Sequence, residues 1–312
     1  MRQRRDGRAF TKETKNMSFK ASMAGFLARL CKADRKMAEN LQNPPRNTGA
    51  LDMERFTKKV RVKNWDIRGF KGVTVNGSYP GRGHILMLPG GAYSLEPGKH
   101  HRRIAERFAI LDHMKVSVFQ YPLSPEYTAV DVRIILMEAY ERLVREYPED
   151  MFFLFGDSSG GGLALAFLQE LRDRGGCPMP ARTAMVSPWL DISLTNPKIK
   201  IARKTEHILP AEALIETGKR YCGGLDKEDP FVSPICGTMD GVGPVLMFSG
   251  EEEILTPDCE LLAEKMEKVT GTELVFRKAA GMCHDWIQIP CRETDVTLDL
   301  IAGFFQEALE AG

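Results

Sequence analysis

The sequence predicts an α/β fold, a mostly parallel sheet with helices packed on both of its faces. Three observations carry this. Short apolar runs recur at 84–88, 116–120, 151–155, 183–186, 245–248 and 274–277, as strands buried on both sides should read. Helical patterns at 98–113, 128–147, 160–173, 258–269 and 294–309 alternate with them, the texture of strand–helix–strand units. The chain has 312 residues, 43% hydrophobic and 27% charged. A chain of that size buries about three quarters of its unfolded surface, so it needs no metal or disulfide staple to fold.

Taken in order, residues 1–17 are polar and rich in Arg and Lys, the composition of a frayed tail. From Ser18, Phe19, Met23, Phe26, Leu27 and Leu30 fall on one stripe at helical spacing, which predicts an amphipathic helix. Asn43, Pro44, Pro45 and Asn47 end that segment. Two β-like runs follow at 59–64 and 72–76, before the alternation begins. The stretch between 186 and 245 is too long for a simple crossover and holds a helical pattern at 210–221. It therefore carries an insertion.

Several classes are disfavoured. Lys+Arg 43 against Asp+Glu 42 gives a net charge of +1, without the basic excess expected of a nucleic-acid binder. No apolar run reaches the length of about 18 residues that spans a bilayer, so no integral membrane association is expected. The 21–31 stretch is interrupted by Arg29 and followed by Lys32, Ala33, Asp34 and Arg35; it reads as a helix, not a signal peptide. The seven cysteines are odd in number and contain no Cys-x-x-Cys. Free thiols in a reducing, cytoplasmic setting account for them, with neither a disulfide framework nor a metal site.

The most informative run joins the apolar 152–155 to Gly156-Asp157-Ser158-Ser159-Gly160 and then directly to a helix. A Gly-x-Ser-x-Gly turn between strand and helix presents its serine as a nucleophile. The turn is tight, so side chains two positions away would clash with it. The helix that follows aims its amides and positive dipole end at a developing anion. The Gly-Lys-[Ser/Thr] ending of a phosphate loop is absent.

A serine nucleophile needs a base and an acid that orients it. His207 and His284 follow Ser158. His284 sits just after the last apolar strand, where a loop carries it to the carboxyl edge of the sheet, so it is the preferred base. His100 and His101 are read as solvated, and His84 and His113 as lying at element edges. The acid should follow the strand ending at 248, where Glu251, Glu252, Glu253 and Asp258 compete. Only Glu253 is followed directly by the apolar Ile254 and Leu255; position alone does not choose among them. Gly90 and Gly91, after the strand at 84–88, would let backbone amides approach a bound carbonyl. Cys283 reads as a small buried thiol, and Asp191 and Glu126 as structural contacts beneath the site.

Together these segments resemble the hormone-sensitive-lipase group, or bacterial family IV esterases and lipases, of the α/β-hydrolase fold. Pro89-Gly90-Gly91-Ala92-Tyr93 resembles that group's His-Gly-Gly-Gly loop. Tyr121-Pro122-Leu123-Ser124-Pro125-Glu126 resembles its Tyr-Arg-Leu-Ala-Pro-Glu, and 156–161 its Gly-Asp-Ser-Ala-Gly-Gly. Ser187-Pro188-Trp189-Leu190-Asp191, 250–255 and 281–286 resemble the run after the next strand and the acid and histidine segments. The likeness runs from Lys71 to the C-terminus.

The resemblance implies Ser158 as nucleophile, His284 as base and Glu253 as acid. It implies an oxyanion hole from the amides of Gly91, Ala92 and Ser159, with Gly90 and Tyr93 lining the substrate site. It also implies a catalytic domain at 59–312 and a helical cap formed by 18–58 and the insertion, placed at about 190–224. The expected activity is hydrolysis of short- to medium-chain acyl esters, with a small-molecule ester as partner and no cofactor. Acyl transfer, lactone or amide hydrolysis, or ligand binding without catalysis are the alternatives. Pro89 and Ala92 depart from the group's first histidine and third glycine; proline can restrict the loop backbone in the histidine's place.

Overall fold

The computed structural model describes residues 18, 21 and 30–312. The expected tail at 1–17, and Phe19, Met23, Phe26 and Leu27 of the amphipathic stripe, lie outside the described residues. Leu30, expected on the buried stripe, is exposed.

Eight strands form one sheet in the order β1-β2-β4-β3-β5-β6-β7-β8: β1 (Arg61–Ile67), β2 (Phe70–Asn76), β3 (Gly83–Leu88), β4 (Lys115–Phe119), β5 (Met151–Asp157), β6 (Arg182–Val186), β7 (Gly243–Gly250) and β8 (Thr272–Ala279). The β1–β2 and β2–β4 pairs are antiparallel and the rest are parallel. The principal helices are α1 (Ala33–Gln42), α2 (Lys99–Leu111), α3 (Ala129–Glu146), α4 (Ser158–Arg174), α5 (Ile199–Ala202), α6 (Ala211–Cys222), α7 (Thr256–Met266) and α8 (Arg292–Ala311). The α/β-hydrolase fold with a mostly parallel sheet is the architecture observed.

Strand periodicity explains how the sheet divides two cores. Successive side chains of a strand point to opposite faces. In β5, Phe153 and Phe155 pack with Ile104 and Phe108 of α2 and with Leu298, Ile301 and Phe305 of α8. Phe152 and Leu154 belong to the other core, with Leu136 and Tyr140 of α3 and Leu163 and Phe167 of α4. Phe153 stacks on Phe305 with centroids 4.7 Å apart. Continuous apolar sequence is thus the direct consequence of helices on both sides.

The sheet's antiparallel edge is less regular in sequence. The first run was expected at 59–64, but β1 runs later and closes on β2 through Arg68 and Gly69. Both have positive φ, 50° and 90°, as a two-residue hairpin turn requires. Of the β1 residues only Trp65 is buried. Its ring stacks on Phe119 and its indole donates to Thr74 Oγ1 at 3.0 Å. A Cβ at Gly72 would sit 2.2 Å from that ring.

The stretch between β6 and β7 holds α5 and α6, and α6 packs against α1. Arg220 of α6 donates to the Leu41 carbonyl at 2.9 Å. His84 lies at the start of β3, an element edge as expected, and is fully buried there. Its ring meets Asp150 and Ser117, which satisfies both nitrogens away from water. Among the described residues no helix is long and apolar enough to cross a membrane.

Because Phe153 is fully buried in an aromatic stack, Phe153→Ala should lower the unfolding free energy by about 3–5 kcal/mol. Urea denaturation measures it, and a loss under about 1 kcal/mol would contradict this packing.

Candidate active site

Strand β5 runs into α4 with no intervening loop, and Ser158 takes the turn at φ 51°. A left-handed serine is uncommon and must be held by its surroundings. The glycines explain how it is held. A Cβ at Gly156 would lie 2.2 Å from the Gly160 carbonyl oxygen, and one at Gly160 would lie 1.9 Å from that of Leu88. The backbone passes too closely for any side chain there. The Ser158 carbonyl accepts from the Trp189 amide at 2.9 Å, which ties the turn to the segment after β6.

A line of hydrogen bonds starts at this serine. Ser158 Oγ lies 2.9 Å from His284 Nε2, and His284 Nδ1 lies 2.5 Å from Glu253 Oε2. The other Glu253 oxygen accepts from the Gly250 amide at 2.6 Å and the Ser187 hydroxyl at 2.9 Å. Ser187 Oγ in turn accepts from the Asp285 amide at 3.1 Å. Glu253 is fully buried, and the end of β7 reaches the histidine loop because Gly250 has no side chain: a Cβ there would be 2.4 Å from the Met282 carbonyl.

Of the four competing acids, Glu253 is the one that touches His284. Glu251 is exposed and accepts from the Gly281 amide. Glu252 is half-buried on the same turn. Asp258, in the first turn of α7, binds Asn196, and burial pushes its carboxyl up to about 6. Burial opposes a charge on His284, but its hydrogen bond to Glu253 and the charges of Glu253, Glu206 and Asp157 outweigh it. The imidazole pKa is raised above its ordinary 6.5.

The glycine loop passes directly over the serine. A Cβ at Gly90 would lie 2.5 Å from Asp157 Oδ2 and 3.0 Å from Ser158 Cβ. Gly91, Ala92 and Tyr93 all have positive φ, 138°, 52° and 57°. Each left-handed non-glycine residue costs on the order of 1–3 kcal/mol unless its neighbours fix it. Here they do. The Tyr121 hydroxyl donates to the Pro89 carbonyl at 2.7 Å, and the Tyr93 amide donates to Ser159 Oγ at 3.2 Å. The Tyr93 ring is fully buried and stacked on Tyr221 with centroids 3.8 Å apart. The Gly91 and Ala92 amides donate to no other described residue, and the Ser159 amide belongs to the first turn of α4, where helical amides have no internal partner.

The sequence reading of His100 and His101 as solvated is corrected. His101 is buried, and its Nε2 lies 3.0 Å from Asp157 Oδ2. The Gly98 amide points its hydrogen at His101 Nδ1. Nε2 therefore carries the proton and donates it to the carboxylate. His100 lies beside this ring, and burial together with the His101 neighbour lowers its pKa to about 2. The three groups are close enough to suggest a cation site, but a ring nitrogen that presents a hydrogen offers no lone pair. The link among them is the hydrogen that His101 Nε2 donates to Asp157, with His100 beside it.

Other residues fall as follows. Asp191 accepts from the Ser193 and Thr195 amides, a local turn contact. Glu126 holds Arg46, which also binds the Ser94 and Ser124 carbonyls. Arg46, Phe70 and Leu123 help line a cavity of about 700 Å³ beside Tyr121, but Ser158, Glu253 and His284 are not among its walls. Cys283 is half-buried, and its thiol is pushed up to about 12, first by burial. Sequence reasoning missed Tyr121, Ser187, Glu206 and His101. Tyr121 and Ser187 stood inside quoted segments; Glu206 and His101 carried no signal.

Residues 85–288 match the family model described as alpha/beta hydrolase fold. The chain is 33% identical over 206 residues to an acetyl-hydrolase of Streptomyces hygroscopicus, covering 65% of this chain and 67% of that protein. It is 29% identical over 230 residues to an esterase of Acinetobacter venetianus, covering 73% and 75%. The solved structure of EstE7, a hormone-sensitive-lipase homologue from a metagenome library, superposes with a TM-score of 0.79 at 23% identity, over 92% of this chain and 98% of that one. That last likeness is one of fold.

The Tyr121 hydroxyl is the fastener of the glycine loop. Tyr121→Phe should cost about 0.5–1.5 kcal/mol in loop positioning, seen as a several-fold drop in kcat for ester hydrolysis without loss of the folded state by circular dichroism. An unchanged kcat would assign the loop's geometry to other contacts.

Proposed function

Because this chain belongs to the alpha/beta hydrolase fold family, resembles its hormone-sensitive-lipase group and has esterases and an acetyl-hydrolase among its relatives, we propose that it is a serine carboxylesterase acting through Ser158, His284 and Glu253. Hydrolysis of carboxylic esters is the activity those relatives support. The unbroken hydrogen-bond line from Ser158 through His284 to Glu253 carries the finer reading.

In this mechanism Ser158 Oγ attacks the ester carbonyl as His284 Nε2 takes its proton. Glu253 fixes the Nδ1–H tautomer and stabilises the imidazolium. The amides of Gly91, Ala92 and Ser159 receive the oxyanion, each such donor being worth about 2.7–4 kcal/mol in the transition state. His284 returns the proton to the leaving alcohol, then activates the water that releases the acid. The chemistry calls for no cofactor. Gly90 and Tyr93 form the floor beside the reacting carbonyl. A helical cap over the pocket, as the resemblance implies for the insertion, would suit short- to medium-chain acyl groups on a small-molecule ester. Seven unpaired thiols suit a reducing, cytoplasmic setting.

Two outcomes test this. Across a p-nitrophenyl ester series from acetate to long chains, the wild type should favour short and medium esters. Ser158→Ala should lose activity by on the order of 10⁶-fold; equal activity in both proteins would mean another nucleophile. The base must be neutral to act, so kcat/KM should fall as pH drops, with a midpoint above 6.5 because the His284 pKa is raised. A profile flat across this range removes His284 as the base.

A further inference from the structure

The residues immediately beside Ser158 and His284, Asp157 and Asp285, are both acidic and both buried. One oxygen of each is accounted for. Asp157 Oδ2 accepts from His101 Nε2 at 3.0 Å, and Asp285 Oδ2 accepts from Gln288 Nε2 at 2.5 Å. The other oxygen of each, Oδ1, is buried and reached by no donor among the described residues. The two carboxyl groups lie within hydrogen-bonding reach of one another. Two carboxylates meeting in this way would repel, with both facing oxygens unsatisfied. One proton between them turns the repulsion into a hydrogen bond and satisfies both.

We propose that Asp157 and Asp285 share a single proton across the seam between the serine turn and the histidine loop, and that Asp285 is thereby a positioning residue holding Ser158 and His284 in register. This rests on the function proposed above only for its effect on turnover. The proton resides on Asp285. Asp157 already receives the His101 hydrogen and serves as the acceptor, with His100 behind His101 on α2. Among the described residues the charged and titratable groups around Asp285 are Asp157, the Glu253 carboxylate from the loop after β7, His284 bound to that carboxylate, and Arg103 of α2, which donates to the Ile287 and Gln288 carbonyls; Gln288 is neutral. Glu206 from the insertion also acts on His284. Among the described residues no cation is hydrogen-bonded to either Asp285 oxygen. Burial, then the Asp157 charge, raises the Asp285 carboxyl well above its ordinary 3.8. The Asp285 amide donates to Ser187, which donates to Glu253, so the loop that carries Asp285 is also tied to the orienting acid.

Asparagine imitates the protonated acid. Its amide donates to Asp157 and its carbonyl accepts from Gln288. It does so at every pH, whereas the wild type must take up a proton on folding. With a folded-state value above the unfolded one, the wild-type contribution is complete below pH 3.8 and is lost as pH rises. The folding constant of Asp285→Asn relative to wild type should therefore climb by up to about tenfold per pH unit above roughly pH 4. It levels off once Asp285 ionises in the folded protein. Urea denaturation from pH 4 to 9 reads this without any turnover. Infrared spectra at pH 7 should show a protonated-carboxyl band in wild type that Asp285→Asn lacks. In ester hydrolysis, Asp285→Ala should lower kcat about tenfold or more with KM little changed, and Asp285→Asn should restore most of it.

A stability difference independent of pH, or a carboxyl band that survives in Asp285→Asn, overturns the shared proton. Equal kcat in the alanine and asparagine variants overturns the positioning role. If Asp285→Ala does not fold, the asparagine comparison still decides. A wild type inert toward all esters but showing the pH-dependent stability gap would sink the esterase reading and leave the shared proton standing.

Discussion

A serine in the left-handed region at the end of a buried strand constrains everything around it. The turn at Ser158 places a hydroxyl above the sheet, and it does so only because the backbone can come into van der Waals contact at three points around it. Gly156, Gly160 and Gly90 are the points of closest approach. Each lacks a side chain for the same steric reason, although they come from a strand, a helix and a loop. Both cores bear on this point. Phe153 and Phe155 hold β5 from one face, and Phe152 and Leu154 from the other, so the turn rests on a strand clamped from two sides.

The glycine loop solves a related problem with fewer glycines. Ala92 and Tyr93 adopt positive φ despite their side chains. The energy is offset by contacts, not by composition: the Tyr121 hydroxyl on the Pro89 carbonyl, the Ser159 hydroxyl under the Tyr93 amide, and the face-to-face stack of Tyr93 on Tyr221. Tyr221 belongs to the insertion. The conformation of the loop that faces the serine is thus supported in part from outside the sheet.

What was legible in the sequence follows from what each feature depends on. Strands buried on both faces read as continuous apolar runs, so β3 through β7 could be located from composition alone. The β1 register could not, because Trp65 is its one buried residue and alternation has nothing else to mark. Ser158 and His284 were legible because a turn and a strand end position them locally. The choice among Glu251, Glu252 and Glu253 depends on which side of a tight turn faces inward, a property of three-dimensional packing; the resemblance, not the spacing, singled out Glu253. His101 looked like half of a solvated pair. Its burial depends on Asp157, 56 positions away, and no local pattern announces such a partner.

Glu206 links two parts of the molecule that a description by domains would separate. One of its oxygens accepts from the His207, Ile208 and Leu209 amides within the insertion. The other accepts from the Ile254 amide, next to Glu253. The insertion and the turn carrying the acid are pinned to the same carboxylate. The insertion fastened there cannot shift without tugging on the neighbour of the residue that meets the imidazole. The pin thus works as a lever whose fulcrum lies beside the acid.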